Sequence, residues 1–126
     1  MSVLKSPFAQ LMEYKFRDWQ VEQIQKGERR TSLTAFAEYL GFPQATVSYW
    51  MNGQNTPSHE NTAILGSKLG YEIYDALSIN RPDPLWAKFE VLFYHLDDEQ
   101  KQHILKQAEE YALNNINPRR TANSET

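Results

Sequence analysis

Cysteine is missing from all 126 residues, which removes disulfides, thiolate zinc sites and thiol nucleophiles at once. No apolar run approaches the ~20 residues of a membrane span. The opening Met1-Ser2-Val3-Leu4-Lys5-Ser6-Pro7 lacks the apolar stretch of a secretory signal. A cytoplasmic protein with no membrane partner is therefore expected. Positive charge is also short, with 13 Lys and Arg against 16 Asp and Glu and a net charge of −3. That balance sets aside strongly basic chains that hold nucleic acid through phosphate contacts alone. The shortage is uneven. Residues 1–57 carry six basic and five acidic groups, a balance of +1, whereas residues 58–126 carry seven and eleven, a balance of −4. Histidine is limited to His59, His95 and His103, with no spacing suited to a zinc site. No Ser-His-Asp set, nucleotide loop or paired acid in a glycine-rich context occurs. Neither catalysis, nor a metal, nor a cofactor is expected.

What is present is helical periodicity, cut into short segments by Gly and Pro. Ser6-Pro7 predicts a helix start, since serine caps and proline suits the first helical position. Phe8, Leu11, Met12, Phe16 and Trp19 follow at spacings of three and four, with a stop expected before Gly27. A second helix starts after Thr31 or Ser32, carries Leu33, Phe36, Ala37 and Leu40 on one side, and ends at Gly41. A third runs from about Gln44 to Met51 and is closed by Asn52-Gly53, with loop to Pro57. Ser58 can cap a fourth, with Ile64, Leu65 and Leu69 inward, and a short fifth spans Tyr71 to about Leu77. Ser78 to Pro84 holds two prolines in three residues and reads as the linker. Leu85, Trp86, Phe89, Leu92, Phe93 and Leu96 predict a sixth helix, its Trp86-Phe89-Phe93 stripe read as core. Asp97-Asp98-Glu99-Gln100 reads as the opening of a seventh, since Asp97 can accept from backbone amides and Gln100 stands three residues on. Ile104, Leu105, Ala108, Tyr111 and Ala112 would line its buried side. Asn114 to Thr126 reads as a disordered tail. No strand is needed, so the expected fold is all-α.

Between Leu33 and Asn52 the residue types suit two helices packed across a tight turn. Ala37 sits where the two approach most closely, and Gly41 sits where positive φ is needed. Val47 and Trp50 are three apart, so both face inward toward Phe36 and Leu40. That leaves Gln44, Ala45, Ser48 and Tyr49 on the outer side.

The run Phe36-Ala37-Glu38-Tyr39-Leu40-Gly41-Phe42-Pro43-Gln44-Ala45-Thr46-Val47-Ser48-Tyr49-Trp50-Met51-Asn52-Gly53, with Pro57 and the later Leu69-Gly70, resembles the lambda repressor/Cro family, also called the Xre family. The resemblance covers roughly residues 8–79. It implies a five-helix repressor-like helix-turn-helix domain whose third helix reads base edges in the major groove. It also implies double-stranded DNA as partner, a palindromic operator, and a homodimer. Carried over by position, Gln44 would bond a phosphate or a base, its amide able to donate and accept. Ala45 and Thr46 would offer methyl groups to thymine, and Ser48 and Tyr49 would reach base edges or the sugar-phosphate. Asn52, Gln54 and Asn55 fall in the loop used against the backbone. Arg29 and Arg30 would clamp phosphate beside the second helix. Leu33 stands where the family often has a glutamine anchor, so Thr31, Ser32 or Thr34 must substitute. From Thr31 to Pro57 there is no lysine or arginine, which predicts a shallow salt dependence.

The expected organisation is a DNA-binding domain over 1–80, a two-helix extension over 81–115 and a tail over 116–126. The extension's apolar face would fold back on the first helix or meet its twin in a second subunit. The expected function is transcriptional regulation, most simply repression. The competing reading is a protein-interaction adaptor or antirepressor on the same scaffold, without DNA binding.

Overall fold

A computed structural model describes residues 5–116. Among the described residues every regular element is an α-helix: α1 (Pro7–Gln25), α2 (Leu33–Leu40), α3 (Gln44–Met51), α4 (His59–Leu69), α5 (Glu72–Ala76), α6 (Pro84–Tyr94) and α7 (Asp98–Ile116). Several boundaries follow from local chemistry. Ser6, Ser32 and Ser58 each accept a backbone N–H from the third residue beyond, which satisfies a donor the helix itself leaves open. Asp97 accepts from the Gln100 amide at 2.7 Å while the Gln100 side chain accepts from the Asp97 amide at 3.0 Å. This reciprocal box opens α7 as its sequence requires.

The described chain divides into two compact units, one ending at Val91 and the other beginning at Leu92. In the first, α1 packs on α2, α3 and α5, and α2 also meets α3 and α4. Phe8 and Met12 of α1, Phe36 and Leu40 of α2, and Val47 and Trp50 of α3 form the centre of the core. Aromatic rings run through it: Phe36 lies 5.1 Å from Phe16 and 5.3 Å from Trp19. Trp19 continues to Tyr39 at 5.9 Å. On α4 the inward face is Thr62, Ala63, Leu65 and Gly66, whereas Ile64 and Leu69 are only half-buried. Gly66 marks a close approach between α4 and α5. A β-carbon there would come within 2.7 Å of the Tyr74 ring, so α4 meets α5 through its smallest residue.

The division between units falls later than the proline-rich segment predicts. Arg81 donates from Nε to Asp75 Oδ1 at 3.0 Å, which ties that segment back to α5. Asp83 accepts from the amides of Leu85 and Trp86 and so opens α6. Glu90 of α6 is buried and pairs with His59 of α4 at 2.7 Å. The first turns of α6 therefore belong to the first unit.

Three sequence expectations about the C-terminal helices are corrected here. Trp86 and Phe89 are not core: both are exposed, as are Leu85 and Leu92, and the residues α6 buries are Ala87 and Glu90. The anchoring His59–Glu90 pair turns the apolar side outward. In the second unit α7 buries no residue. Leu105, Ala108, Tyr111 and Ala112 are exposed and Ile104 is half-buried, so the periodicity marks a stripe that the described residues of this chain leave uncovered. Helix α7 also continues through Asn114 and Asn115 to Ile116, where a disordered tail was expected; residues 117–126 lie outside the described residues.

Candidate nucleic-acid interface

Helices α2 and α3 are each followed by a glycine in the left-handed region, Gly41 at the turn between them and Gly53 just beyond α3. Gly41 has φ +85°, and the Phe42 amide donates back to the Ala37 carbonyl at 3.1 Å. Gly53 has φ +76°, and the Gln54 amide donates back to the Tyr49 carbonyl at 2.9 Å. In each case a carbonyl of the last helical turn gains a donor. Helix α3 is thereby cut to eight residues.

Its rear is anchored by Val47 and Trp50, both buried. The Trp50 ring stands edge-on between Phe42, 5.0 Å away, and Phe8 of α1, 6.5 Å away. These are the aromatic partners of Trp50, alongside the core around Phe36 and Leu40. Edge-to-face rings contribute beyond their buried area, so α3 is held from behind by α1 as well as by α2.

The outer side carries the sequence-predicted residues. Gln44, Ala45 and Tyr49 are exposed, while Thr46 and Ser48 are half-buried. Thr46 is therefore less exposed as a residue than Ala45. Asn52 extends its amide toward the Ser48 hydroxyl at 3.5 Å, the outer limit of a hydrogen bond. Gln54 and Asn55 are exposed in the loop that follows. Thr34 and Gln44 are brought together: the Thr34 hydroxyl donates to the Gln44 side-chain carbonyl at 2.7 Å. Of the three candidates to stand in for the absent glutamine anchor, Thr34 is the one that reaches α3. The Ser32 hydroxyl accepts from the Ala35 amide, and the Thr31 carbonyl accepts from Gln20. The first turn of α3 follows Pro43 and has no side-chain cap, so its amides stay open to an acceptor from outside.

The basic residues are less available than their positions suggest. Arg30 pairs with Glu38 at 3.0 Å and Lys26 with Glu22 at 3.0 Å. Arg29 is exposed and makes no ion pair among the described residues. Lys68 was not singled out by its sequence position. It donates to the Tyr39 carbonyl at 2.7 Å with its ammonium 5.4 Å from the Tyr39 ring centre, fastening the end of α2 to α4. A basic residue in the last turn of α4 is the only hint the sequence gives of this.

No known family model, curated protein or solved structure matches this chain. Among the described residues no helix is long and apolar enough to cross a membrane, and no group of three or more His, Asp or Glu is placed to hold a metal ion.

Proposed function

We propose that α2, its glycine turn and α3 form a repressor-like helix-turn-helix, and that the protein binds double-stranded DNA sequence-specifically to regulate transcription. In this reading residues 7–77 act as the five-helix DNA-binding domain and α3 enters the major groove. The single observation that carries it is the division of α3 into two sides. Val47 and Trp50 are fully packed, while Gln44, Ala45 and Tyr49 remain exposed on a short rod gripped from behind. A rod of this kind presents side chains to base edges without having to be ordered on binding. Gln44 is the principal reader. With its carbonyl occupied by Thr34, its two amide hydrogens point to acceptors such as a guanine edge, a thymine carbonyl or a phosphate. Ala45 and Tyr49 supply apolar and hydroxyl contacts, while Asn52, Gln54, Asn55 and Arg29 take backbone positions. The protein acts by occupying its site, as a binding protein without catalysis or cofactor.

A second reading has its own observation. Arg30 and Lys26 are neutralised by Glu38 and Glu22, and no basic residue lies between Thr31 and Pro57. A surface so short of free positive charge suits a protein partner, in the manner of an adaptor or antirepressor. Selection from a pool of random duplexes by the purified full chain at low salt separates the two. Repeated enrichment of one sequence supports the regulator. Absence of enrichment sinks it and favours the adaptor.

A further inference from the structure

A cavity of about 230 Å³ opens between α4 and α6, wholly within the first unit. Ala63 and Ser67 of α4, Tyr71 just before α5, and Ala87 and Lys88 of α6 line it. Ala63 and Ala87 are buried, and each contributes a single methyl group, which leaves the space between the two helices open. The volume exceeds the ~150 Å³ of an apolar cavity that takes benzene. One ring fits.

The polar groups of the lining are donors rather than acids. The Ser67 hydroxyl already donates to the Ile64 carbonyl at 2.7 Å. Lys88 enters no ion pair, and the Tyr71 hydroxyl no hydrogen bond, among the described residues. The acids that flank them in sequence are engaged elsewhere: Glu72 holds Lys15 at 2.8 Å, and Glu90 holds His59 at 2.7 Å. An ammonium and a phenol hydroxyl therefore stand as unspent donors on one small apolar hollow. A few polar groups set in an apolar lining are the usual form of a small-molecule site.

We propose that this cavity binds a small aromatic carboxylate. The ring lies over Ala63 and Ala87 beside Tyr71, and the carboxylate accepts from the Lys88 ammonium and the Tyr71 hydroxyl. A neutral ring would leave both donors unpaired. A phosphate dianion would set a second, uncompensated charge against the alanine methyls. Once filled, the cavity joins α4 to α6 at a second point besides the His59–Glu90 pair. No residue of α2 or α3 takes part, so the site stands whether or not the chain binds DNA.

The test is a titration of the isotope-labelled full chain with benzoate, followed through its amide chemical shifts. Benzoate should saturate with a dissociation constant on the order of 1 mM, the scale for a ligand of so few atoms. The largest shifts should fall on the five lining residues. Benzyl alcohol, which keeps the ring and drops the charge, should bind about tenfold more weakly, as should inorganic phosphate. Lys88→Gln, at an exposed position, should lose about tenfold in benzoate affinity, and Tyr71→Phe about threefold, with unchanged helical circular dichroism. Lys106→Gln, on α7, should change nothing. Benzyl alcohol or phosphate binding as tightly as benzoate overturns the assignment. So does an unchanged affinity in Lys88→Gln, and so do shifts that never saturate or that fall away from the cavity. If Tyr71→Phe loses helicity, Lys88→Gln and the two control ligands still decide the matter.

Discussion

The Thr34 hydroxyl donates to the Gln44 side-chain carbonyl at 2.7 Å and so joins the first turn of α2 to the first turn of α3. A glutamine amide carries two donors and one acceptor oxygen. With the oxygen engaged, the nitrogen is aimed before any ligand arrives. On the DNA reading, Gln44→Ala should weaken binding to a selected duplex by about 1–3 kcal/mol, the range of a good bidentate base contact. Thr34→Val keeps the shape but removes the donor, and should lose a smaller share, about 1 kcal/mol. Titration of both variants against selected and scrambled duplexes checks this. Equal losses on both duplexes would reduce Gln44 to a phosphate contact.

Gly41 and Gly66 should fail for opposite reasons. A β-carbon at Gly41 meets nothing within 4 Å, but its φ of +85° is strained for any L side chain. Gly41→Ala should cost about 1–2 kcal/mol of stability. Gly66 has ordinary helical geometry, and its added methyl would stand 2.7 Å from a carbon of the Tyr74 ring. Overpacking of about 1–3 kcal/mol should outweigh the ~1 kcal/mol that alanine gains over glycine in a helix. Urea melts of the two variants decide this, with a stabilised Gly66→Ala contradicting the close approach of α4 to α5.

Ser78 offers the reverse case. It is the one non-glycine residue with positive φ among the described residues, at +59°, where the Ile79 amide donates back to the Tyr74 carbonyl. Ser78→Gly removes the steric penalty of that conformation, so its thermal midpoint should rise, by about 1 kcal/mol in stability. A fall would mean that the serine side chain contributes something its backbone geometry does not reveal.

Acid should expose the Arg81–Asp75 pair. The hydrogen bond from Arg81, with its charge, lowers the Asp75 pKa below the ordinary 3.8 despite some opposing desolvation. A carboxylate lowered in the folded state contributes stability above its unfolded pKa, and the contribution disappears as pH falls through the folded value. Arg81→Gln should therefore be less stable than wild type at neutral pH, and the two should converge below that value. Both side chains are well exposed, so the gap is small and shrinks with salt. Glu13, lowered first by Lys5 and then by Arg17, titrates the same way in both proteins and cancels. Parallel acid melts with no convergence would show that the pair does not restrain the segment before α6.

Much of the first unit was legible because its signals are local. Ser6-Pro7, Ser32, Gly41, Asn52-Gly53 and Ser58 each act on backbone groups within a few residues, and the structure has helix ends at each. The inward turn of Val47 and Trp50 follows from spacing alone. What stayed hidden depends on partners far along the chain. Nothing near Glu90 announces that it will be buried, because its partner His59 lies 31 residues away. The apolar residues of α6 mark a wide apolar surface, but their spacing cannot say which side the rest of the chain buries. Likewise, Gly66 reads as a mild helix breaker until Tyr74 is folded over it.

Trp50 sits with one neighbouring ring from the turn and one from the opening turn of α1, two residues past Ser6. The segment offered outward is therefore braced by the far end of the chain. Trimming that reaches Phe8, or a fusion that distorts the Ser6 cap, would leave every outward side chain chemically intact while slackening the post on which they are mounted.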